Sequence, residues 1–243
     1  MNNSSTIENI LSNSNFFKNS GKDFLGKVIE ASRLDVFSKG QVLFIHEDKA
    51  ESFFIVKKGW VKLFRETLDG SQAVVDILST HHVFGETSLF HDNLYPYSAE
   101  AVERTEIIRM PLSLLKAEIK ENPSLALSML STMARYRRQQ DQELEHRTLQ
   151  NASQRIGCFL LRLTDQSNTG PAIIHLPYDK TLVASRLGMQ PETFSRALTK
   201  LKNATGIKIN GASVELENLS QLSEYACSAC SSEFPCKDLK TCR

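Results

Sequence analysis

Between Asp179 and Lys202 the chain carries a pattern that few folds accept. Ala184 supplies a small residue where two helices would meet, and Gly188 tolerates φ > 0 at the turn between them. Val183, Leu187, Met189, Phe194 and Ala197 fall where apolar side chains would clamp both helices. Asp179 can cap the first helix, and Pro191 suits the first turn of the second, where a missing N–H costs nothing. The segment reads as a helix-turn-helix. Downstream, Ile207-Lys208-Ile209 and Val214-Glu215-Leu216 flank Asn210-Gly211, the strongest short hairpin signal, so a β-hairpin or wing is expected there.

On the second helix Glu192, Ser195 and Arg196 stand at i, i+3 and i+4, opposite Phe194, Ala197 and Leu201. Arg can donate bidentately to guanine, Glu can accept from the cytosine amino group, and Ser can approach thymine. Lys200 and Lys202 are expected to face phosphates. The bland alternative is a surface Glu–Arg ion pair on a helical hairpin without DNA function; the wing that follows favours DNA.

The rest of the chain reads in three textures. Residues 1–15 are rich in Asn and Ser and are expected to fray, and Phe16-Phe17 with Phe24, Leu25, Val28 and Ile29 suggest one or two short amphipathic helices. From Val36 to Pro111, short runs such as Val42-Leu43-Phe44-Ile45, Phe53-Phe54-Ile55-Val56, Val61-Lys62-Leu63-Phe64 and Ile107-Ile108-Arg109-Met110 are punctuated by Gly40, Gly59, Gly70 and Gly85. That rhythm predicts a closed or sandwiched all-β domain. A helix starting near Asn122-Pro123 then carries Leu127, Leu130, Ala134, Arg137, Asp141, Leu144 and Thr148 at steps of three and four. Its length predicts a two-stranded coiled coil, with Leu127, Leu130, Ala134 and Leu144 as the dimerisation seam; packing on the β-domain is the alternative. Ile156–Leu163 reads as another helix and Ile173–Leu176 as a strand.

The chain has 243 residues, with 41% hydrophobic and 23% charged side chains, which excludes a disordered or collagen-like protein. The net charge of +1 hides an acidic excess in the first half and a basic excess in the second. No apolar run approaches the ~20 residues needed to span a bilayer, and the start lacks a signal-peptide pattern, so no membrane partner and a cytoplasmic location are expected. No phosphate loop, catalytic triad or paired-carboxylate motif appears, and an enzyme is not expected.

Gly85-Glu86 with Ser88-Leu89-Phe90 after a β-run, the long helix, and Glu192-Thr193-Phe194-Ser195-Arg196 together resemble the CRP/FNR superfamily of bacterial transcription regulators over roughly residues 16–218. The resemblance implies an α+β chain: a cyclic-nucleotide-binding-type β-barrel (jelly roll) over 16–122, a dimerisation helix over 123–150 and a winged helix-turn-helix over 151–218, followed by a cysteine-rich tail over 219–243. It further implies a homodimer on double-stranded DNA with a palindromic site, and RNA polymerase as a partner. The Glu-x-x-Ser-Arg arrangement is similar to the FNR branch, whose half-site is TTGAT; the CRP branch carries Arg directly before the Glu, where this chain has Pro191. In cyclic-nucleotide-binding members an Arg precedes a Ser/Thr-Ala pair and neutralises the phosphate. Here the matching residues are Tyr97-Ser98-Ala99, so the resemblance does not extend to a cyclic nucleotide effector, and Glu86 is expected to be a structural leftover.

Cys227-x2-Cys230-x5-Cys236-x5-Cys242 groups four soft ligands at the end of the chain, on a segment expected to be too short and polar to build a core. An iron–sulfur cluster, of the 4Fe-4S type, and structural zinc both use four such thiolates. The first three cysteines share the spacing of the N-terminal cluster motif of FNR, and some members of the family carry their cluster C-terminally. Zinc, thiol–disulfide sensing and a tail without function remain open alternatives. His46, His81, His82, His91, His146 and His175 show no ligand-spaced pair on a predicted helix; surface imidazoles are expected, with haem as the alternative. Cys158, beside Phe159, reads as a small buried hydrophobe.

Overall fold

A computed structural model describes residues 3–14, 16–17, 20–164, 171–176, 180–211 and 213–231. The chain forms two compact units that divide within one helix, at Ala134 and Arg135.

The first unit opens with helices α1 (Asn3–Asn13) and α2 (Lys22–Ala31). Strands β1 (Arg33–Phe37), β2 (Val42–Phe44), β3 (Ser52–Lys58), β4 (Val61–Glu66), β5 (Gln72–Leu78), β6 (Val83–Phe84), β7 (Ser98–Ala101) and β8 (Thr105–Pro111) follow. They pair antiparallel in two four-stranded sheets ordered β1-β8-β3-β6 and β2-β7-β4-β5, which is a jelly roll. Successive side chains of a strand point to opposite faces, and both faces of β3 are covered: Phe54 meets Phe44 and Phe84 while Phe53 meets Phe16 and Phe17, so that Phe53, Phe54, Ile55, Ile107 and Ile108 are almost wholly buried. Aromatic rings fill the interior: Phe44 stacks on Tyr95 at 3.8 Å and Phe54 on Phe84 at 5.2 Å between centroids.

The frayed start expected for residues 1–15 is corrected: Asn3–Asn13 is helical, and Ile7 and Leu11 are buried in the same core. Their i, i+4 spacing makes one apolar stripe, which the surrounding Asn and Ser residues mask in the composition. Phe16 and Phe17 reach Phe53, tying the segment to the jelly roll.

After α3 (Leu112–Glu121), helix α4 (Pro123–Leu149) runs 27 residues, about 40 Å at 1.5 Å per residue. The second unit holds α5 (Ala152–Leu163), β9 (Ala172–His175), α6 (Lys180–Arg186), α7 (Pro191–Thr205), β10 (Lys208–Asn210), β11 (Ser213–Leu216) and α8 (Leu219–Cys227). Strands β10, β11 and β9 form a small antiparallel sheet in that order. Asn151 starts α5 with a capping box, accepting from the Gln154 N–H while the Gln154 side chain accepts from the Asn151 N–H.

The tail expected over 219–243 is likewise corrected in its first part. Helix α8 buries Leu219, Leu222 and Ala226 in the core of the second unit, against α5. The approach is close: a Cβ on Gly157 would lie 3.0 Å from the Ala226 Cβ. Among the described residues no helix is long and apolar enough to cross a membrane.

Candidate nucleic-acid interface

Helices α6 and α7 are joined through Gly188 at φ +63°, the left-handed region that favours glycine. The turn is closed by the Gly188 N–H donating to Ser185 O and the Met189 N–H to Ala184 O, at 3.0 and 2.9 Å. Val183, Ala184, Met189, Phe194, Ala197 and Leu201 are buried, and Leu187 packs against them partly exposed. Pro191 occupies the first turn of α7, and Gly206, at φ +66°, ends it. The proposed cap Asp179 lies outside the described residues.

With one face of α7 buried, Glu192, Ser195, Arg196, Lys200 and Lys202 are all exposed. Among the described residues neither Glu192 nor Arg196 takes part in an ion pair, so the surface-pair alternative has no counterpart here. Both are free to meet an external partner. Beyond α7, Gly211 at φ +60° turns the chain between β10 and β11, and the Asn210 amide donates to Glu215 at 3.1 Å. The helix-turn-helix and its wing are thus built on one core.

A half-buried ion cluster ties α4, α5 and α6 together. Glu143 Oε1 accepts from Arg162 Nη1 at 2.8 Å and from Arg186 Nη2 at 2.7 Å, and its Oε2 accepts from Arg186 Nη1 at 2.9 Å. Burial pushes this carboxyl up, but the hydrogen bonds and charges of Arg186 and Arg162 outweigh it and hold it below the usual carboxylate range. Sequence reasoning missed the cluster because its members are far apart in the chain and share no periodicity.

The imidazole of His146 also departs from the surface position expected for it. It is 7% exposed. Its Nε2 lies 3.3 Å from Cys230 Sγ and its Nδ1 3.7 Å from Cys158 Sγ. Cys158 is buried, as its setting on α5 predicts, yet it has this polar neighbour as well. Cys227 closes α8 and Cys230 follows in a turn, its N–H donating to Cys227 O at 3.1 Å. Both thiols are half-buried, and their C-x2-C spacing fits one half of a cluster or zinc site. Cys236 and Cys242 lie outside the described residues, and among those described no three metal-binding side chains converge on one point.

In the jelly roll, Gly85 at φ +83° leads into a single helical turn, Glu86–Phe90. Burial pushes the Glu86 carboxyl up to about 7, and its Oε2 has no hydrogen-bond partner among the described residues. Ser98 Oγ accepts from the His46 N–H at 3.0 Å, and the residue before it is Tyr97, so a cyclic phosphate would find no guanidinium there to neutralise it. The residues present do not fit that ligand.

Along α4, Leu125 and Met129 are buried in the first unit, whereas Leu127, Leu130 and Leu144 are 64, 60 and 66% exposed and Ala134 is exposed too. Two charged residues in the stripe, Arg137 and Asp141, pair with each other at 3.1 Å.

A jelly roll followed by a long helix and a winged helix-turn-helix defines a class of DNA-binding regulators, and the comparisons agree. Residues 34–122 match the cyclic nucleotide-binding domain family and residues 154–225 the Crp-like helix-turn-helix domain family. The chain is 29% identical over 191 residues to the cyclic AMP receptor protein of Thermus thermophilus, covering 79% of this chain and 87% of that one. It is 30% identical over 183 residues to the nitrogen fixation regulation protein FixK of Azorhizobium caulinodans, covering 72% and 71%. A solved protein of Ruegeria pomeroyi, named as a candidate cyclic nucleotide binding protein, superposes with a TM-score of 0.70 at 33% identity, covering 93% of this chain and 99% of that one. The chain belongs to the CRP/FNR family of DNA-binding transcription regulators.

Proposed function

We propose that this regulator is a homodimer that reads a palindromic TTGAT-like site in double-stranded DNA and is switched by an iron–sulfur cluster of the 4Fe-4S type on Cys227, Cys230, Cys236 and Cys242. Glu192, Ser195 and Arg196 read base edges from the exposed face of α7, and Lys200 and Lys202 meet phosphates. Leu127, Leu130, Ala134 and Leu144 form the seam of a parallel α4 pair, which spaces the two reading heads. It acts in the cytoplasm, with RNA polymerase as its further partner.

The observation that carries the switch is the seat of the thiols. Cys227 ends a helix that belongs to the core of the DNA-binding unit, and Cys230 touches His146 on α4. Cysteines so placed are linked by packing to the helix-turn-helix and to the dimerisation helix. When bound, a cluster supplies an oxygen- and redox-labile centre whose loss frees its thiolates. The thiols then cease to hold the chain after α8, and the difference in binding free energy between the two states biases DNA affinity.

A second reading, an effector held in the jelly roll with zinc on the tail, is favoured by one observation: the partnerless Oε2 of Glu86, a buried acceptor able to take a ligand hydroxyl. Anaerobic purification decides between them. Thiolate-to-iron absorption with matching iron and acid-labile sulfide, and operator affinity that changes on exposure to air, are the expected results. A Soret band, or a colourless protein containing zinc, overturns the cluster reading.

A further inference from the structure

A second site lies away from the cysteines. A cavity of about 50 Å³ in the second unit is lined by Glu143 and by four arginines, Arg147, Arg155, Arg162 and Arg186. A single water needs roughly 10–15 Å³ on this measure, so the space holds several waters or one oxyanion of four or five atoms. Glu143 is fully engaged by Arg162 and Arg186. Arg147 and Arg155 have no carboxylate partner among the described residues, so two positive charges in the lining are left without a described counter-charge.

The hydrogen bonds are incomplete in the same place. The Nε atoms of Arg155 and Arg162 are buried and make no hydrogen bond among the described residues, although buried donors are nearly always satisfied. Arg155 makes one long bond, from Nη1 to Leu187 O at 3.4 Å. Burial, and then the neighbouring charge of Arg147, pull the Arg155 guanidinium below its ordinary value, the response of a cation that lacks its anion. Water could accept from these donors but brings no charge. A planar fork of N–H groups matches two oxygens of a phosphate, nitrate or carboxylate.

We propose that this cavity binds a small oxyanion on Arg155, with Arg147 and Arg162 beside it. Arg155 donates to the carbonyl of Leu187, in the turn between α6 and α7, so the anion bears on the turn that orients the reading helix. The site is thereby an effector position for the helix-turn-helix, independent of any metal on the cysteines.

The test is calorimetric titration of the full-length protein with inorganic phosphate, nitrate, nitrite and acetate, each at constant ionic strength against chloride. Saturable binding of at least one of them, one per chain, is expected, and Arg155→Gln should weaken it about tenfold or more, the scale of one lost charge-assisted hydrogen bond. Because Arg155 supports a turn, the exposed Arg147→Gln serves as a second variant that leaves the fold intact, and it should weaken binding about threefold or more. Operator affinity should shift with the bound oxyanion in the wild type and lose that shift in both variants. No saturable binding beyond chloride, or equal binding in wild type and both folded variants, overturns the proposal.

Discussion

The Nε2 of His146 lies 3.3 Å from the Sγ of Cys230, while the other ring nitrogen faces Cys158 at 3.7 Å. Burial, with the charge of Arg162, pushes this imidazole below its ordinary value, so it is neutral at pH 7, with one donor and one acceptor nitrogen. One ring therefore bridges α4, α5 and the chain after α8. Glu145 adds to the same joint by accepting from the Ser231 N–H and hydroxyl, both at 2.9 Å.

This geometry separates the cysteines in a measurable way. Cys227→Ser, Cys230→Ser and Cys236→Ser should each abolish iron binding in anaerobically purified protein and alter operator affinity, since the cluster needs thiolates within reach of one core. Cys158→Ser should retain iron, because that sulfur sits on the far side of the imidazole from Cys230. Cys242→Ser should have the smallest effect of the tail variants, as an oxygen ligand such as a carboxylate can complete the site in place of a fourth thiolate. Iron analysis of the five variants decides; loss of iron in Cys158→Ser alone would sink the assignment.

The seam on α4 gives the second prediction. With Leu130 and Leu144 at 60 and 66% exposure, replacing both by Glu should leave each chain folded and yield a monomer that has lost specific DNA binding. An intact dimer in sedimentation would refute the seam.

How much of this was legible beforehand follows from the range of each interaction. The helix-turn-helix and wing announce themselves because their constraints are local: Gly188 and Gly211 at positive φ, Pro191 in a first turn. The jelly roll is legible as strands, but its 1-8-3-6 and 2-7-4-5 order is a property of long-range pairing. The Glu143 cluster and the buried His146 were invisible for the same reason. Helices α1 and α8 were misread because polar composition outweighed a short apolar stripe, which becomes visible once Leu11 and Leu222 are seen fully buried. The roles of Arg196 and of the tail cysteines rest on residue type and spacing in both readings.

Base readout is tested on α7. Arg196→Ala should lose about 1–3 kcal/mol at one base pair and relax specificity there. Lys200→Ala and Lys202→Ala should weaken all sequences alike and lower the salt dependence, as phosphate contacts do. Binding to a panel of operator variants distinguishes the two patterns, and a uniform loss for Arg196→Ala would count against base reading.

Glu143 predicts an acid-sensitive joint. Its carboxyl is depressed in the folded protein, so its stabilising effect is present above the unfolded carboxylate range and is lost as pH falls through the lower folded value. Glu143→Gln should flatten the pH dependence of unfolding on the acid side. Glu143→Ala, which removes the carboxylate shared by Arg162 and Arg186, should cost about 3 kcal/mol at pH 7. Denaturant midpoints at pH 4 and pH 7 measure both, and an unchanged acid slope in Glu143→Gln would discard the idea.

Glu86 predicts the opposite sign in the jelly roll. Burial raises its carboxyl to about 7, so the folded state binds the proton more tightly than the unfolded chain does. The Glu86 contribution should then be greatest below the unfolded carboxylate range and be lost as pH rises toward 7, where an ionised oxygen without a described partner is buried. Gln has nearly the same shape but does not ionise. The stability difference between Glu86→Gln and wild type should therefore move in the variant's favour by on the order of 3 kcal/mol between pH 5 and pH 8, a comparison in which the cost of burying the amide itself cancels. Thermal unfolding of both proteins across that range reads the change directly. A difference that stays constant with pH would mean that Glu86 already carries its charge compensated at neutral pH, by a ligand or a counter-ion in the jelly roll.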